Sequence, residues 1–303
     1  MSWLAFAFMG PVLWAVSIHF DKYLVERYFK ESSVASLLVF TALIGLVMMP
    51  FIWVYYPGVT AMPIHAILLI GLSGVLYLAA IYFYLGALQS EEASVVAPFY
   101  QASPLFGYGL AYVILGETLT PLQMGGGLLI IGGAALVSIR PGVNKGHIKA
   151  RLVVRMLSSA FILAVATVIF KAFAIEDEFW PTTFWTYVGE AVFGIVLLLI
   201  PSVRRQFLAL FKSNTWALLG INGSNELINL GGGLGSRYAL TLAPLSMVQS
   251  VNSTTSLFVF LIGIGITLFA PSLGREDLSA RNLVRKSVSV ILVVIGLIAM
   301  THG

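Results

Sequence analysis

The stretch ALQSEEASVVAPFYQASPLF, residues 87–106, aligns without a gap on ALTLAPLSMVQSVNSTTSLF, residues 239–258, at an offset of 152. Ala-Leu at the start, Ser94 with Ser246, and Leu-Phe at the end coincide. The same offset carries back into the preceding segment, where Gly71 falls on Gly223. Further upstream, WAVSIHFDK (14–22) lies over LAVATVIFK (163–171), which sets Lys22 on Lys171. The chain reads as one unit, 1–145, repeated as a second, 146–303. Chance similarity among apolar helices is the plain alternative, and the paired lysines weigh against it.

Composition says what kind of unit is repeated. Of 303 residues, 59% are apolar and only 10% are charged, with a mean hydropathy of +0.95. Soluble domains carry about 25% charged residues, so this chain cannot cover a water-facing surface. It reads as a multi-pass integral membrane protein. A bilayer core of about 30 Å takes roughly 20 apolar residues per helix. Ten such runs are found, at 3–24, 33–56, 63–88, 93–115, 121–139, 152–174, 182–201, 215–240, 243–270 and 284–301. They are long and continuous, which favours helices over a barrel. The pieces near 140–151 and 202–214 read as linkers. The first run lacks a basic leader and a cleavage site, so it reads as a retained span rather than a signal peptide. Five spans per unit is an odd number, so the second copy must insert upside down. The expected fold is all-α integral membrane, ten transmembrane helices as two inverted five-helix repeats, an arrangement that puts a substrate site near the midplane.

Basic residues set the orientation. Numbering the loops in order, 15 of the 17 lysines and arginines lie in or beside odd-numbered loops; the other two, Lys171 and Arg237, lie at the even-loop ends of their spans. Positive charge stays cytoplasmic, so the odd-loop face is expected inside and both termini outside. The expected location is a bacterial inner (plasma) membrane.

The run GALQSEEASVVAPFYQASPLFGYGLAYVILGETLTPLQMGGGLLIIGGAAL, residues 86–136, resembles the drug/metabolite transporter superfamily in its ten-helix EamA-type branch. The likeness rests on an Ala-Leu turn, a proline in the first third of the next helix (Pro98), a closing Gly116-Glu117 pair, and Gln123 with the spaced glycines 125, 132 and 133. Trp14, Ser17 and Lys22 fit the family's opening helix. The resemblance covers the first half well and the second half weakly. It implies a basket of helices around a central cavity, and export or exchange of small metabolites. Two features depart from the family. It usually places basic residues after its second span and keeps its termini cytosolic, whereas residues 57–65 hold no lysine or arginine. The eighth span is also unusually polar.

That polarity is concentrated in GINGSNELINL, residues 220–230. Asn222, Asn225, Glu226 and Asn229 recur at i, i+3, i+4, i+7, one face of a helix, with Leu218, Leu219, Leu227, Ile228 and Leu234 elsewhere. An acid at the bilayer centre costs about 2.5–3.5 kcal/mol on the mild insertion scale. The stripe is expected to face a water-filled cavity; helix packing through asparagine amides is the bland reading. Gly231-Gly232-Gly233 and Gly125-Gly126-Gly127 lack the residues of a phosphate loop and read as close-packing positions. Gln249 and Asn252 in the ninth span and Gln101 in the fourth offer further amides at related depth.

Glu190 lies near the middle of the seventh span. It and Glu226 are the two acids well inside spans and are the proton-coupling candidates, the alternative for Glu190 being a static ion pair with Lys171 or Arg237. Lys171 is a candidate for binding substrate, and Lys22 and Arg237 are gating candidates, with snorkelling to the interface the plainer reading of Lys22. Tyr77 falls on Asn229 under the repeat offset and is the aromatic pocket candidate.

Without cysteine there is no disulfide framework, thiolate metal site or catalytic thiol. The scattered histidines form no ligand spacing, and no catalytic pair is found. The chain is not expected to be an enzyme, to hold a cofactor or to bind nucleic acid. The expected function is secondary active transport of a polar small metabolite (amino-acid-like, amine or other zwitterion) by alternating access, in the direction of export, with a proton as coupling ion. The chain would act as a monomer or homodimer. The alternative is a translocase for a lipid or lipid-linked head group on the same fold.

Overall fold

The computed structural model describes residues 3–27, 34–88, 102–138, 150–174, 179–213, 216, 218–269 and 279–302. The described residues are almost all helical, with short turns at 56–63, 116–120 and 243–244. The elements are α1 (Trp3–Arg27), α2 (Val34–Tyr55), α3 (Ile64–Leu88), α4 (Ala102–Leu115), α5 (Pro121–Ser138), α6 (Ala150–Ala174), α7 (Phe179–Leu199), α8 (Pro201–Ser213), α9 (Gly223–Leu242), α10 (Leu245–Asn252), α11 (Thr255–Phe269) and α12 (Ala280–His302).

Among the described residues seven segments are long and apolar enough to cross a membrane, with α10 and α11 counted together as Leu245–Phe269. Helix α4 and most of α5 are apolar but shorter. Helix α9 has 20 residues, about 30 Å of rise, and its polar stripe is what lowers its hydropathy. Two expectations need correction. Residues 202–214 were expected as a linker, but 201–213 form the amphipathic helix α8, whose Val203 and Leu210 are buried while Arg204, Arg205 and Lys212 stay exposed. The apolar positions recur every three to four residues among charges, a signal too short to read as a span. The ninth span is not continuous; it breaks at Ser253–Thr254.

Small residues set the tightest crossings. A Cβ on Gly189 of α7 would run into the Gly71 backbone of α3, and one on Gly74 into the Thr186 carbonyl. Helices α5 and α12 meet the same way: a Cβ on Gly126 would lie 2.6 Å from the Gly296 carbonyl oxygen, and one on Gly296 2.6 Å from that of Gly126. With little hydrophobic drive between helices in lipid, such backbone approach is what association gains from. The pairings follow a pattern. Helix α1 packs on α9 and α3 on α6; α4 packs on α6 and α11 on α1; α2 meets α7 and α5 meets α12. Three of the α9 glycines seat it on α1, where Gly235 faces Met9, Gly232 faces Trp14 and Gly231 faces Leu13.

Candidate functional site

The polar stripe enters the protein rather than the lipid. A π-helical turn, Leu218–Asn222, leads into α9, a distortion that recurs at functional positions. Asn222, Asn225 and Glu226 are buried and Asn229 is half-buried, while Leu227 on the other side is 57% exposed. From α2, Thr41 Oγ1 donates to Glu226 Oε1 at 2.8 Å. An acid that would be costly in lipid thus has a hydroxyl donor from a neighbouring helix.

Further along α9, near its even-loop end, Arg237 turns inward. Its Nη2 donates to Glu190 Oε1 of α7 at 2.6 Å. The guanidinium lies 5.1 Å from the ring centre of Tyr187, 5.5 Å from Phe170 and 5.7 Å from Tyr77. Four helices, α3, α6, α7 and α9, therefore build one cage. Tyr187 and Glu190 share a face of α7 because they are three residues apart. Glu190 stands eleven residues after the start of α7, about 17 Å of rise, near half the thickness of a bilayer core. On α2, one turn beyond Thr41, Gly45 packs against the Tyr187 ring, so the cage and the stripe adjoin. Of the two partners weighed for Glu190, the structure selects Arg237.

Lys171 has a different partner. At the end of α6, with 3% exposure, it forms an ion pair with Glu117 and donates to the Ala243 carbonyl at 2.6 Å. The other carboxylate oxygen of Glu117 accepts the N–H of Leu245 at 2.8 Å, one of the four N–H groups that a helix leaves unpaired at its start. Gly116, at φ +64°, makes the turn that delivers Glu117, a backbone conformation glycine adopts without strain. This knot joins the α4–α5 turn, the end of α6 and the α9–α10 corner, all on the even-loop face.

The break between α10 and α11 is stitched by hydroxyls. Ser253 Oγ donates to the Ser250 carbonyl at 2.6 Å, Thr254 to Val251 at 2.7 Å and Thr255 to Asn252 at 2.7 Å. Side chains thus take carbonyls that an unbroken helix would have paired. Asn252 Nδ2 donates to Ser236 Oγ of α9 at 2.7 Å. Gln249 is buried and packs across Gly107 of α4. Tyr108 OH and Ser250 Oγ are hydrogen-bonded.

The sequence candidates divide accordingly. Asn222, Asn225, Glu226 and Asn229 lie together along α9; Tyr77, Glu190 and Arg237 meet in the cage; Gln249 and Asn252 line the broken span. Lys171 stands apart in the even-face knot. Lys22 lies on α1, whose packing is with α9 to α11, and Gln101 falls outside the described residues. Sequence reasoning missed Thr41, Phe170 and Tyr187, and gave Glu117 no role beyond its family motif. Tyr187 was open to detection through its three-residue spacing from Glu190. Thr41 and Phe170 were not, because only the packing of separate helices brings them in.

Comparison with known proteins adds to this geometry. Residues 1–139 match the EamA-like transporter family. The resemblance carried by residues 86–136 is thereby shown, and the first half is EamA-like. That match covers under half of the chain, and the family it names is one of membrane transporters. Seventeen chains of solved structures are similar to this one. One of them, titled "Crystal structure of protein", is 15% identical, with a TM-score of 0.69 over 98% of this chain and 96% of that chain. At that identity the likeness concerns the fold alone. No match was found among the curated proteins.

Proposed function

We propose that this chain is a secondary active transporter that moves a polar small metabolite, an amine or a zwitterion such as an amino acid, across the membrane by alternating access. One observation carries the reading: the buried row Asn222, Asn225, Glu226 on α9, met by Thr41 from α2. It supports substrate contact because one amide, or two, would suffice to pack helices, whereas an acid in that row adds cost without adding packing.

Two inverted halves, 1–145 and 146–303, are part of the proposal. They are supported by the offset alignment and by the pattern of helix pairs. Matching the five spans of each half in order exchanges the α1–α9 pair with the α6–α3 pair, and α4–α6 with α11–α1; α2–α7 and α5–α12 map on themselves, while the close α3–α7 crossing has only a slight counterpart in α9–α2. The broken span at Ser253–Thr254 fits the discontinuous helices that bind substrate in such folds. Glu226 is the proposed proton carrier and export the proposed direction.

The test is reconstitution. Proteoliposomes of wild type and Glu226→Gln are compared for uptake of labelled amino acids and amines, after thermal unfolding shows that both fold. Wild type is expected to move at least one solute, and the variant to lose that flux at least tenfold. Equal flux in both would remove Glu226 from the mechanism. Stabilisation only by lipid-like head groups would favour a head-group translocase instead.

A further inference from the structure

The arrangement around Arg237 has the chemistry of a cation receptor that the protein fills with its own side chain. A guanidinium stands within 5.1–5.7 Å of three ring centres, Tyr187, Phe170 and Tyr77, and 2.6 Å from a carboxylate oxygen of Glu190. Ring faces carry negative quadrupole charge and attract cations, most strongly where water is excluded. Glu190 is 4% exposed and Tyr187 3% exposed, so water is largely excluded here. Three rings are more than an ion pair needs. A buried pair is made tolerable by hydrogen bonds and close geometry, which Glu190 alone could supply.

We propose that the Glu190–Tyr187–Tyr77–Phe170 cage is the binding site for a monovalent organic cation, guanidinium- or alkylammonium-like, and that Arg237 occupies it as a tethered plug which the cation displaces. This rests on the transporter reading and names its substrate class. Arg237 sits five residues before the end of α9, about 8 Å of rise, and keeps 15% of its side chain exposed. A long arginine at that depth can swing out to the even-loop surface, as interfacial arginines do. An anion drawn to Arg237 would instead meet the Glu190 carboxylate and three negative ring faces. Exchange between plug and substrate also gives a reason for the site to stay neutral when empty of substrate.

The experiment uses full-length protein in nanodiscs. Binding of methylguanidinium and tetramethylammonium is measured by thermal shift and by change in tryptophan fluorescence, with acetate and glycine as controls. Removing the plug in Arg237→Ala should lower the dissociation constant for both cations about tenfold or more, in line with the worth of desolvated cation–π contacts. The charge-neutral double variant Arg237→Ala with Glu190→Gln should lose that binding. If Arg237→Ala does not fold, Arg237→Lys is read instead: its compact ammonium stacks less well than a planar guanidinium, so cations should still bind more tightly than to wild type. Unchanged or weaker cation binding in whichever of these folds would overturn the proposal, as would retention of binding in the double variant. Reconstituted flux separates the two readings. Tighter cation binding in Arg237→Ala without flux of any solute in wild type would keep the cage and reject the transporter. Flux of glycine unaffected by methylguanidinium would keep the transporter and reject the cage as its substrate site.

Discussion

At the residue scale, four side chains define what this membrane interior can do: Glu226, Glu190, Arg237 and Lys171. Each is buried or nearly so, and each answers a different partner. Breaking a buried pair leaves a charge behind and costs about 3–5 kcal/mol. Lys171→Met and Glu117→Gln are each expected to lower thermal stability by that order. The double variant should recover a large share, because neither charge is then stranded. Thermal unfolding of the three proteins checks this, and equal losses in singles and double would refute it. Thr41→Val is expected to have a milder effect, about 1.5–3 kcal/mol, as loss of one hydroxyl bond to a charged group. The acids and amides of α9 were legible in the sequence because i, i+3, i+4, i+7 spacing is a local property. The partner of Glu190 was legible only as a choice between two cations. Thr41 and Phe170 were not legible, since no spacing along the chain relates α2 or α6 to the site.

At the element scale, the glycines separate into two groups by what a methyl group would meet. Gly189→Ala drives a Cβ into the Gly71 backbone, where neither side can move without shifting a helix. Destabilisation of about 1–3 kcal/mol is expected, as for overpacking in a core. Gly125→Ala and Gly233→Ala face open space and should be neutral or slightly stabilising, since alanine favours helix. Denaturation in detergent distinguishes the two sets, and equal effects would contradict the crossings described. The sequence showed both triplets as packing positions; within each, only some members touch anything. Which ones do depends on the crossing angle, which is decided by the neighbouring helix. The break in α10–α11 was also hidden, because Ser253 and Thr254 read as ordinary residues of an apolar run until their hydroxyls are seen taking carbonyls.

At the scale of the whole molecule, the proposed duplication rests on a twenty-residue alignment and on the pairing of helices across the two proposed halves. Orientation rests on basic residues alone. The chain contains no cysteine, so single introduced cysteines report without background. With the odd-loop face inside, Gly58→Cys, on the exposed turn between α2 and α3, should react with an impermeant maleimide in intact cells. Arg205→Cys on α8 should react only after permeabilisation. The reverse pattern would place both termini in the cytoplasm, as is usual in the family that this chain resembles, and would make the even-face knot a cytoplasmic one. In either orientation Lys171 and Glu117 hold that face together, while the buried row of α9 begins near the opposite face.

We propose that a solute crosses through this buried polar interior. Solute flux into proteoliposomes, measured for wild type and Glu226→Gln side by side, tests it most directly. Saturable flux is expected in wild type, with at least a tenfold loss in a variant that still unfolds cooperatively at a similar temperature. Flux that is identical in the two proteins, or absent from wild type for every amine, zwitterion and organic cation tried, would contradict it.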